Sequence, residues 1–124
     1  MDRAQRQSSL VVVVDMQERL VPAMAEGPRD RALTNAGIVL DAAKALGVPV
    51  LATEQYPKGL GATVPLIASR LAALGTQPIA KLAFDACSEP AFARAVSALA
   101  PRSVILVGFE AHVAEDFSTE LQRL

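Results

Sequence analysis

Hydrophobic positions change period from one segment of this chain to the next, and each change marks a secondary-structure element. Leu10 to Val14 is an unbroken apolar run with four β-branched residues, which predicts a strand buried on both faces. "MQERLVPAMAEGPRDR" (16–31) is polar and contains prolines, so a loop holding a short helical turn is expected. From Arg29 to Leu46, Leu33, Ala36, Leu40 and Ala43 recur at spacings of three and four, a helical face that Gly47 and Pro49 bring to an end. "VPVLAT" (48–53) reads as the second strand. "EQYPKGLGATVP" (54–65) reads as loop, kept irregular by two glycines and two prolines. A short helix at 66–75 closes at Gly75, and 77–84 holds a third strand. Residues 88–100 form a helix with Ser88 as N-cap and Phe92, Val96 and Leu99 on one face. A fourth strand covers 102–109, and from 110 a last helix begins with Val113, Phe117, Leu121 and Leu124 aligned.

Four rounds of strand and helix, with strands apolar on both faces, predict an α/β fold. It is an open parallel sheet with helices on both faces, a single domain over 1–124. In such sheets ligands sit at the carboxyl ends of the strands. Asp15, Glu54, Lys81 and Glu110 fall at or just past those ends. A carboxylate adds nothing to a core strand, so Asp15 is expected to face a crevice, with capping of the following turn as the alternative. Lys81 reads either as a surface lysine on an edge strand or as the cation partner of Asp15. Paired, the two could serve as a general acid or base.

Composition narrows the chemistry. The 124 residues are 52% hydrophobic and carry a net charge of −1, with an isoelectric point of about 5.8. That leaves no dense basic field for nucleic acid. No apolar run is long enough to suggest a membrane span, and the polar start "MDRAQRQSSL" lacks the apolar core of a signal peptide. A cytoplasmic location is expected. The one cysteine, Cys87, excludes an internal disulfide and reads as a small packing residue. The one histidine, His112, has no second ligand at metal spacing. "GLGAT" (59–63) lacks the Gly-Lys-Ser/Thr ending of a phosphate loop. No metal, nucleotide or other cofactor is expected.

With these strand-end residues in view, four segments carry a resemblance: "VVVVDMQERLVPAM", "LGVPVLATEQYPKGLGATVP", "KLAFDACSEPAF" and "VILVGFEAHV". In this order and spacing, over 9–113, the chain resembles the isochorismatase-like cysteine hydrolases, in particular the short isochorismatase-domain branch. The resemblance implies a Rossmann-like three-layer fold and hydrolysis of a small molecule at an amide-type, nitrile-type or enol-ether bond. It assigns the family acid to Asp15 and the family lysine to Lys81. The acid takes the proton of a cysteine thiol, and the thiolate attacks the substrate carbon to give a covalent intermediate that water resolves. Backbone N–H groups of "GFEAHV", a turn often shaped in the family by a cis peptide, would hold the oxyanion. Gln17, Gln55, Tyr56, Phe84, Glu110 and His112 are the implied substrate-binding residues.

The nucleophile should follow Val113, where this chain has Ala114. Cys87, within "FDACSEP", matches a different, non-nucleophilic position. Family members continue beyond this point with further strand-helix-strand structure, and "AEDFSTELQRL" replaces a cysteine-led apolar helix. The resemblance thus implies a C-terminally truncated domain with an unpaired apolar sheet edge, which favours a homo-oligomer. Three readings follow. The chain is a truncated, inactive product of a shifted reading frame near position 114. Alternatively it is a pseudoenzyme whose crevice of Asp15, Lys81 and the Gln55–Tyr56 loop binds a small molecule or a partner chain. The third is an enol-ether hydrolase, in which Asp15 protonates the substrate's vinyl carbon and no thiol is needed.

Overall fold

In a computed structural model that describes residues 8–82 and 89–109, four parallel strands form one sheet in the order β3-β2-β1-β4. Strand β1 (Ser9–Val14) lies between β2 (Val50–Gln55) and β4 (Ser103–Gly108), and β2 also pairs with β3 (Ile79–Lys81). All six residues of β1 are buried, as a continuous apolar run requires when both faces are covered. Successive strand side chains point to opposite faces, so β1 contributes to two cores. Val11 and Val13 pack with Leu40, Ala52, Ile67 and Leu71 beneath α1 (Glu26–Leu46) and α3 (Pro65–Ala73). Leu10, Val12 and Val14 pack with Phe92 and Val96 of α4 (Pro90–Leu99) on the other side. The expected α/β fold with helices on both faces is the one observed.

The short helical turn expected in the loop after β1 is a 3-10 helix at Glu18–Ala23. Other boundaries differ from expectation. Helix α1 begins at Glu26, ahead of Arg29, because Pro28 fits a first helical turn, where no N–H is needed. It ends at Gly47, whose φ of 71° is the left-handed conformation open to glycine. The stretch read as wholly irregular contains the four-residue helix α2 (Pro57–Leu60), started by a proline at its first position. On α4 the apolar face is narrower than predicted: Phe92 and Val96 are buried, but Leu99 is 40% exposed. The Ser88 cap and the C-terminal helix fall outside the described residues. In α4 the carboxylate of Glu89 accepts from the Ala91 N–H at 3.5 Å. No described helix is long and apolar enough to cross a membrane.

Candidate active site

The carboxyl ends of β1, β2 and β3 bring their side chains to one place because the three strands run parallel and in register. Gln55 stands opposite Lys81, and Val14 stands opposite Thr53. Just past β1, Asp15 takes a φ of 50°, a left-handed conformation that Asp tolerates better than most residues. Its backbone N–H donates to Thr53 O at 3.2 Å, and its own carbonyl accepts from the Gln17 N–H at 2.9 Å. These bonds direct its carboxylate sideways toward β2 and β3.

There the Lys81 ammonium donates to Asp15 Oδ2 at 2.9 Å and to Gln55 Oε1 at 2.6 Å. The Thr53 hydroxyl donates to Asp15 Oδ1 at 2.7 Å. Both carboxylate oxygens therefore act as acceptors. Lys81 is only 3% exposed and Asp15 8%. Lys81 does lie on an outer strand among the described residues, yet it is a buried ion-pair partner. Asp15 does not cap the following turn; the 3-10 helix takes Gln17 as its N-cap residue, with no side-chain hydrogen bond.

A second set of bonds holds the floor of this cluster. Gln17 is fully buried, and its side chain clasps the backbone of the loop. The Gln55 N–H donates to Gln17 Oε1 at 2.7 Å, while Gln17 Nε2 donates to Gln55 O at 3.0 Å and to Gly61 O at 2.8 Å. Gln55 Nε2 in turn donates to Leu82 O at 2.8 Å. One amide thus fixes β2's end, and the other bridges the Lys81 ammonium to the chain beyond β3. Tyr56 is tied in through its backbone, whose N–H donates to Lys81 O at 2.8 Å, while the residue stays 47% exposed.

Of the residues expected in the site, the structure assembles Asp15, Gln17, Gln55 and Lys81, with Tyr56 alongside. Phe84, Glu110, His112 and Ala114 lie outside the described residues, as does Cys87, and so does the "GFEAHV" turn beyond Gly108 and Phe109. Glu54, expected at a strand end, stands one position inside β2 and is not part of the cluster; its Oε2 accepts from the Thr63 N–H and hydroxyl, both at 2.8 Å. Thr53 was not anticipated, because a Thr in a strand is indistinguishable from an ordinary β-former. Among the described residues no group of three or more His, Cys, Asp or Glu could hold a metal ion.

Comparison with known proteins identifies the family and the fold. The isochorismatase domain family model matches residues 9–116. Isochorismatase domain-containing protein 2 of Danio rerio is 37% identical over 109 residues, 88% of this chain and 52% of that protein. Its Homo sapiens counterpart is 39% identical over 105 residues, covering 84% and 47%. The chain thus spans about half the length of the curated relatives it matches. Among solved structures, the MAR1 ribonuclease of Caenorhabditis elegans superposes with a TM-score of 0.84 at 34% identity, over 98% of this chain and 62% of that one. An octameric hydrolase of unknown specificity from Escherichia coli shares the fold with a TM-score of 0.75 at 24% identity, over 86% and 52%.

Proposed function

From the premise that this chain belongs to the isochorismatase domain family of hydrolases, we propose that Asp15 and Lys81 form the centre of a crevice for a small molecule bearing an amide-type, nitrile-type or enol-ether bond. The observation that carries this reading is the buried 2.9 Å contact between Lys81 Nζ and Asp15 Oδ2 at the strand ends. A carboxylate with both oxygens accepting is set to receive a proton or to anchor a donor on a ligand. In the cysteine route that proton comes from a thiol, whose sulfur then bonds to the substrate carbon. The family resemblance assigns the nucleophile to position 114, where this chain has Ala, which carries no sulfur for that bond.

The enol-ether route asks the opposite of Asp15, which must arrive protonated and deliver its proton to carbon. In the structure both oxygens of Asp15 are already engaged as acceptors, by Thr53 and Lys81. The geometry therefore favours binding without turnover, a retained hydrolase crevice acting as a ligand site. The fold neighbour from C. elegans is named a ribonuclease. In this chain the net charge of −1 supports a small molecule over a polyanion.

Thermal unfolding with and without isochorismate or benzamide, alongside assays for pyruvate release and RNA cleavage, separates these readings. A ligand at ten times its Kd adds about 1.4 kcal/mol, a Tm rise of roughly 5 °C. We expect one of the two compounds to give such a rise, Asp15→Asn to remove it, and neither pyruvate nor RNA fragments to appear. Pyruvate release that Asp15→Asn abolishes would replace binding with enol-ether hydrolysis. RNA cleavage that depends on Asp15 would replace the small molecule with nucleic acid. No Tm rise and no activity would overturn the crevice.

A further inference from the structure

Glu54 is the one charged side chain of β2, and it lies on the sheet face away from the ion pair. Val50 and Ala52 belong to the core under α1 and α3, and Glu54 follows them in alternation; Leu51 packs on the α4 side, followed by Thr53 and Gln55. Beside Glu54 a cleft of about 450 Å³ opens between α3 and the segment entering β3. That volume is within the range of small-molecule sites, roughly 300–1,000 Å³. Asp15, Gln55 and Lys81 do not line it.

Two features define what could fill it. Thr63 holds Glu54 Oε2 with two hydrogen bonds, so the carboxylate is oriented before any ligand arrives. Glu54 Oε1 takes no partner among the described residues. One available oxygen suits a compact ammonium better than a guanidinium, whose fork engages both oxygens of a carboxylate. The neighbouring wall is apolar, made by Ala68, Leu71 and Ala72 of α3 with Ala62 and Pro78. Thr76, also at the cleft, donates its hydroxyl to Val50 O at 3.3 Å, and Gln77 beside it is neutral, so the one charged anchor of the cleft is Glu54. We propose that this cleft binds a small alkylammonium, with its charge on Glu54 Oε1 and its alkyl chain against Ala68, Ala72 and Pro78.

The test is a ¹H–¹⁵N NMR titration of the full chain with n-butylammonium chloride, compared with n-pentanol and with sodium chloride. Saturable shifts at the amides of Ala68, Ala72 and Gly75 are expected, with a Kd of about 1 mM or tighter. Pentanol should bind at least tenfold more weakly. Glu54→Gln keeps an oxygen to accept from Thr63 and should weaken butylammonium by tenfold or more. Ala68→Leu fills the cleft with Glu54 intact, and should abolish the shifts even if Glu54→Gln fails to fold. The proposal is overturned by equal binding of pentanol, by unchanged affinity in a folded Glu54→Gln, by shifts that persist in Ala68→Leu, or by no saturation at roughly ten times that concentration. Because the two sites share no side chain, Asp15→Asn should leave this titration unchanged.

Discussion

Lys81 places an ammonium where only 3% of the residue meets solvent, a costly position unless its charge and its protons are met. Asp15 meets the charge, and Gln55 takes a second proton. Replacing Lys81 with Met would leave the Asp15 carboxylate buried with the Thr53 hydroxyl as its remaining side-chain donor among the described residues. We expect a loss of about 3–5 kcal/mol of stability, read as a lower urea midpoint with an unchanged slope. A loss under about 1 kcal/mol would mean that water screens the pair as it does on a surface. At this scale the sequence was legible where a charged residue interrupts an apolar pattern. Asp15 ends a β-branched run and Lys81 follows a short apolar stretch, Pro78 to Ala80, so both stand out. Thr53 and the clasping role of Gln17 do not, because a hydroxyl in a strand and an amide in a loop reveal partners only when the chain path is known.

Element by element, the long periodic pieces were predictable and the short ones were not. Helix α1 has several turns in which to repeat its apolar face, whereas α2 is four residues long and shows no period. Its start depends instead on Pro57 and on Tyr56 at a φ of 40°, which the clustered Gly and Pro residues disguised as loop. Between β1 and β4 the close approach is tuned by Gly108. A Cβ there would sit 3.0 Å from the Val14 carbonyl oxygen, tighter than ordinary packing. Gly108→Ala should force the two strands apart by a few tenths of an ångström. A cost of about 1–3 kcal/mol is expected, from overpacking. Faster hydrogen exchange at the β1–β4 amides than at those between β1 and β2 would localise the effect. Uniform exchange rates would argue against it.

For the molecule as a whole, the parallel class of the sheet followed from strands apolar on both faces, but the strand order did not. Periodicity says which way a strand faces and nothing about its neighbours. Among the described residues β3 and β4 are the two outer strands, and they differ. β3 is three residues long, short enough to offer little to another chain. β4 is six residues long, pairs only with β1 among the described residues, and exposes 42% of Ile105.

The placement of β1 between β2 and β4 also has a temporal side. Its first neighbour follows one helix later, but its second, which pairs Ser103 with Ser9, is near the far end of the described chain. At roughly 5–20 residues per second, a ribosome needs on the order of ten seconds to travel from one to the other. Through that interval the most apolar of the described strands has at least one side unpaired. The nascent chain therefore stays open to chaperones, and to wrong partners, until β4 emerges.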